Sequence, residues 1–63
     1  MALHLKAARV NAGLTQAAAA EALEISRNTL ISYEAYKTKP DIEMAKKIAY
    51  LYGLTVDDII FFA

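Results

Sequence analysis

The sequence predicts an all-α fold of five short helices, and three observations carry that reading. Thirteen of the 63 residues are alanine, within an apolar share of 57%, a composition suited to close helix packing. Helix-ending signals at Gly13, Glu24-Ile25-Ser26, Tyr36 to Pro40 and Gly53 cut the chain into short segments joined by short connections. Inside the segments apolar residues recur at helical rather than alternating spacing.

The first helix is expected over residues 2–12, where Leu3, Leu5, Ala8, Val10 and Ala12 form a loose stripe ahead of Gly13. Thr15 is a good N-cap for a second helix over 16–23, which holds only strong helix formers and stops near Glu24. Ser26 caps the third, with Thr29 rather than an acid three places on, so a plain cap is expected. Leu30 and Tyr33 face the core there, with Ile25 just outside. Pro40 holds the residue before it extended, and Asp41 caps a fourth helix. Its Ile42, Ala45, Ile48, Ala49 and Tyr52 recur at helical spacing up to Gly53. Thr55 caps a final turn or two, and Asp57 and Asp58 stand where the helix dipole favours negative charge.

Composition narrows the function. The chain holds no cysteine and a single histidine, so neither a disulfide nor a structural metal site is expected, and nothing calls for a cofactor. Apolar runs fall far short of the ~20 residues that span a bilayer, and no cationic-then-apolar leader opens the chain. A soluble, cytoplasmic, single domain over residues 1–63 is the expectation. Seven basic residues balance seven acidic ones. That balance argues mildly against a polyanionic partner, although the distribution of charge matters more than its sum. No nucleophile, base and oxyanion set appears, and the glycines form no phosphate-cradling loop, so catalysis is not expected.

Two short helices joined by a three- to four-residue turn, the second with a polar N-terminal face, are the pattern of a helix-turn-helix, here over about residues 15–35. Arg9, Gly13-Leu14-Thr15-Gln16, Ile25-Ser26, Leu30, Ser32, Glu34, Pro40, Ile48-Ala49 and Gly53-Leu54 extend it. From residue 3 to about residue 60 the chain resembles the Cro/repressor-type, Xre-like helix-turn-helix family, with its lambda-repressor-like fold. The match runs without a gap through nearly the whole chain. The resemblance implies that Arg9 and Glu34 pair across the edge of the core, where the alternative is two solvated charges. It implies that Gln16 meets a phosphate; otherwise Gln16 is a polar helix-start residue without a ligand. Family members also track the phosphate backbone at the loop here formed by Lys37, Thr38 and Lys39, a composition that alone proves little. Asn11 and Thr15 are weaker phosphate candidates.

Base reading follows from side-chain chemistry. Arg27 offers a fork to guanine O6/N7, Asn28 pairs with adenine N6/N7, Ile31 or Thr29 touches a thymine methyl, and Ser32 serves a base or a phosphate. These positions lie opposite Leu30 and Tyr33, so they can enter a major groove together or form an ordinary solvated face. His4 has no evident partner and reads as a surface residue.

The chain also departs from the family. Ala19 stands where a larger aliphatic is usual, and Glu24 and Tyr36 replace frequent glycines. Ala17, Ala18, Ala35, Met44 and Tyr50 stand where charge is common. In the family, dimers form through the C-terminal region, where Met44 and Leu51 share a flank of the fourth helix and Phe61 and Phe62 close the chain. Self-association through those four residues is expected; the alternative is one phenylalanine in the core and one exposed. The function expected is a sequence-specific transcriptional regulator that binds operator DNA as a homodimer on half-sites about one helical turn apart, without a small-molecule substrate. The alternative is a self-assembling module on the same fold, its surface recast as in an engineered variant, with little affinity for DNA.

Overall fold

The computed structural model describes residues 2–63. In chain order the elements are a short strand β1 (Leu3–His4), helices α1 (Leu5–Asn11), α2 (Gln16–Leu23), α3 (Arg27–Glu34) and α4 (Ile42–Leu51), a 3-10 turn over Val56–Asp58, and a second strand β2 (Ile59–Ile60). Three helices start at capping side chains: Thr15 accepts from the Ala18 N–H, Ser26 from Thr29 and Asp41 from Met44. Each satisfies one of the amide donors that a helix start leaves unpaired.

Two expectations at the chain ends need correction. Helix one begins at Leu5 rather than residue 2, because Leu3 and His4 pair in parallel with Ile59 and Ile60. For the same reason no fifth α-helix forms among the described residues. The β-branched Ile59 and Ile60 favour extended backbone, and Ile59 buries its side chain there, leaving a single 3-10 turn before it.

All four helices end alike. A left-handed residue follows each, at Gly13 (φ 76°), Glu24 (φ 58°), Tyr36 (φ 60°) and Gly53 (φ 73°). The amides of Leu14, Ile25, Lys37 and Leu54 then reach back to the carbonyls of Arg9, Ala20, Ser32 and Ala49. This is the Schellman closure, which satisfies carbonyls that would otherwise be orphaned. Glycine adopts it freely, whereas at Glu24 and Tyr36 a Cβ costs roughly 1 to 2 kcal/mol each. The Glu24 turn is the one that sets α2 against α3.

The core centres on the fully buried Leu5, Leu30 and Ile48, one each from α1, α3 and α4. Ala8, Ala19, Ala20, Ala45 and Ala49 fill the spaces between helices, joined by Leu23, Tyr52, Ile59 and Phe61. Ile42, expected on the core face of helix four, is instead 62% exposed. It is the first residue of α4 and lies beyond the layer that Ala45 begins to bury.

Candidate nucleic-acid interface

The outer face of α3 is built from its cap. Ser26 Oγ accepts from the Thr29 amide at 3.1 Å and shares a 2.8 Å hydrogen bond with Thr29 Oγ1, so the hydroxyl of Thr29 is engaged by the cap. Leu30 pins the helix to the core from the opposite side. Arg27, Asn28 and Ile31 are left exposed, while Thr29 and Ser32 are half-buried at the edges of the face. Among the described residues the only ion pair joins Arg9 to Glu34, so the Arg27 guanidinium is uncommitted.

That pair is the most enclosed charged group of the fold. Arg9 Nε donates to Glu34 Oε2 at 2.7 Å and Nη2 to Oε1 at 3.4 Å, with side chains only 9% and 5% exposed. Nη1 donates to the Leu14 carbonyl at 2.8 Å, which ties the turn before α2 into the same network. Gln16 joins it as well, its Nε2 donating to Glu34 Oε1 at 3.1 Å. Close by in charge terms lies the buried hydroxyl of Tyr52, which has no hydrogen-bond partner among the described residues. Burial first, and then the negative charge of Glu34, push the Tyr52 phenol up to about 12, with Arg9 acting in the opposite sense.

Beside the network opens a cleft of about 530 Å³ lined by Lys6, Arg9, Thr15, Gln16, Ala17 and Arg27. It brings together the amino end of α2 and two exposed cations, Lys6 from α1 and Arg27 from α3. Amide donors and the helix dipole make such an end favourable for an anion. Thr15 spends one acceptor site on the Ala18 amide at 3.0 Å. Its hydroxyl proton is not used in that bond. Lys6 escaped the sequence reading although its signal was present: it precedes Arg9 by one helical turn and so shares that face.

The remaining candidates are dispersed. Asn11 is exposed at the end of α1, and Lys37, Thr38 and Lys39 are exposed after α3. Lys39 Nζ sits 5.5 Å from the centre of the Phe62 ring, a cation–π contact that draws it toward the chain's carboxyl end. His4 has a partner that no local pattern announced: its Nδ1 is hydrogen-bonded to the Tyr36 hydroxyl, linking β1 to the turn after α3.

Of the four residues expected on a dimer surface, Phe61 is a core residue, only 8% exposed, and Met44 and Leu51 are half-buried against the core. Phe62 is 71% exposed. Phe61 turns inward because the strand pairing of Ile59 and Ile60 carries the chain back across the core. A groove of about 260 Å³, lined in part by Ile42, Val56 and Phe62, lies on that side. Among the described residues no helix is long and apolar enough to cross a membrane, and no cluster of metal-ligating side chains occurs.

A capped helix, a three-residue turn closed by a left-handed residue, and a second capped helix with an open polar face define a helix-turn-helix protein. The helix-turn-helix family profile matches residues 5–59, and the chain belongs to that Xre-like family. It is 43% identical over 53 residues to the HTH-type transcriptional regulator ImmR of Bacillus subtilis, a match covering 84% of this chain and 42% of that protein. It is 40% identical over 55 residues to the uncharacterized HTH-type transcriptional regulator MJ0272 of Methanocaldococcus jannaschii, covering 87% of this chain and 83% of that one. The chain thus spans less than half of the first relative and most of the second. No solved structure matches it.

Proposed function

We propose that the chain is the DNA-binding domain of a transcriptional regulator, that it occupies operator DNA rather than performing chemistry, and that it acts inside the cell. The observation that carries this reading is the juxtaposition of two surfaces. The open face of Arg27, Asn28 and Ile31 borders the cleft where Lys6, Gln16 and the amino end of α2 converge. Phosphates at the cleft and along Lys37 to Lys39 position the domain, with Asn11 and Thr15 as lesser contacts. Arg27, Asn28 and Ile31 read base edges, flanked by Thr29 and Ser32. Membership of a family whose relatives carry the name of transcriptional regulators supports the same reading.

The net charge of zero does not oppose it, because two exposed cations, Lys6 and Arg27, converge on the cleft, and Lys37 and Lys39 are exposed on the loop that follows α3. The domain acts as a homodimer, with Ile42, Val56 and Phe62 forming the apolar centre of the contact; Met44 and Leu51, half-buried against the core, are not among the residues that line that groove. Phe61 is left out of this contact, because the core already holds it. The two recognition helices then meet half-sites about one helical turn apart.

The test is affinity for a pool of random duplexes as salt is raised, alongside the mass in solution by sedimentation. A binder that releases counterions loses affinity steeply with salt. A defined oligomer that ignores DNA at low salt overturns the reading. It favours a self-assembling module instead, to which the 88% exposed Tyr50 would contribute.

A further inference from the structure

Gln16 is the first residue of α2 and lines the phosphate cleft, yet its side chain is already held. Its Nε2 donates to Oε1 of Glu34, the last residue of α3, at 3.1 Å. The same carboxylate is fixed by Arg9 through Nε at 2.7 Å and is almost wholly enclosed. An ionised carboxylate only accepts hydrogen bonds. The nitrogen end of the Gln16 amide must therefore face Glu34, and the second hydrogen on that nitrogen remains available for the cleft. A surface glutamine without such a partner has several rotatable bonds to freeze when a phosphate captures it.

We propose that Glu34 is a positioning residue for DNA: by holding Gln16 it presents an N–H to the phosphate and couples that contact to the seating of the base-reading helix. The inference rests on the DNA-binding reading and goes beyond it. Arg9 stabilises the carboxylate, Glu34 orients the amide, and Gln16 touches the phosphate. One carboxylate at the end of α3 thereby links the residue that fixes register on the backbone to the helix that reads sequence. A pair acting only as structural support would leave Gln16 to act by itself.

The experiment is a cycle of affinities for random duplexes at low salt. It uses the wild type, Gln16→Ala, the paired apolar replacement Arg9→Met with Glu34→Met, and the triple variant, each checked for native helicity by circular dichroism. The paired replacement leaves net charge unchanged, and swapping a buried ion pair for apolar residues is often tolerated. Gln16→Ala is expected to weaken binding about tenfold in the wild type and little in the paired background. Equal losses in both backgrounds, or no loss in the wild type, overturn the proposal while leaving DNA binding intact. A wild-type chain that binds no duplex overturns both readings together. Should the paired variant fail to fold, amide relaxation of Gln16 by NMR in the free wild type decides. A side chain as ordered as the backbone supports the proposal, and a fully mobile one overturns it.

Discussion

Arg9 Nε meets Glu34 Oε2 at 2.7 Å, across the junction of α1 with the end of α3, and both side chains are more than nine-tenths hidden from solvent. Two charges removed from water and joined at such range are costly to separate, because the survivor is left unpaired in a poor solvent. Replacing Arg9 alone by methionine is expected to lower stability by roughly 3 to 5 kcal/mol. Replacing both partners by methionine is expected to cost far less. Urea denaturation of the two variants tests this; a single variant within about 1 kcal/mol of wild type would mean the pair does not hold α3.

Glu24 closes α2 in a left-handed conformation, with its amide on the Glu21 carbonyl at 3.1 Å and that of Ile25 on Ala20 at 3.0 Å. Its side chain is exposed and makes no hydrogen bond or ion pair among the described residues, so Glu24→Gly removes steric strain without removing a polar contact. A gain of about 1 kcal/mol is expected, with part of the relief returned to the greater freedom of unfolded glycine. Tyr36→Gly should not show the same gain, because it also removes the bond to His4. Thermal midpoints of the two variants separate these outcomes.

Tyr52 buries a hydroxyl that finds no partner among the described residues, so Tyr52→Phe removes an uncompensated desolvation and is expected to be neutral or stabilising by up to about 1 kcal/mol. A dependence on pH follows with a definite sign. The phenol is raised from 10.0 to about 12 in the folded chain. Its contribution is therefore complete below pH 10 and is lost as pH climbs through about 12. Stability of the wild type measured from pH 9 to 12 should fall more than that of the phenylalanine variant; parallel curves would contradict the assignment.

At the acid end the relevant group is Asp58, whose carboxylate accepts from the Thr55 amide at 3.0 Å and from its hydroxyl at 2.9 Å. These bonds, the backbone one first, hold the carboxyl below its ordinary value of 3.8. A depressed carboxyl stabilises above its unfolded value and loses that stabilisation as pH falls through its folded one. Thermal midpoints from pH 5 to pH 2 should therefore fall less for Asp58→Asn than for the wild type. An identical fall in both would show that the Thr55 contact is not held in solution.

What could be read from sequence was what is local. Thr15, Ser26 and Asp41 announce helix starts because a cap bonds amides two or three residues away, and each helix end lies within five residues of the carbonyl that closes it. Glu24 and Tyr36 showed their left-handed turns only through comparison with a pattern that prefers glycine there. The pairing of Leu3 with Ile59 joins opposite ends of the chain, and no local pattern specifies it. The choice between Phe61 and Phe62 for the core depends on that pairing, since a strand sends successive side chains to opposite faces. At the site, the exposed Arg27 and Asn28 followed from helical spacing. The bond between Gln16 and Glu34 did not, because it depends on how α2 and α3 are set against each other.

If the amino-terminal face of α3 reads base edges, as proposed, Arg27 is the side chain whose loss must show it. An operator is first selected from random duplexes, and wild type and Arg27→Ala are then titrated against it, against each of its single-base variants and against unselected DNA. Arg27→Ala is expected to lose roughly 1 to 3 kcal/mol on the operator, to relax preference at one base pair, and to lose less on unselected DNA. Lys37→Ala should weaken every sequence alike. Equal losses for Arg27→Ala on operator and unselected DNA would contradict base reading by this helix.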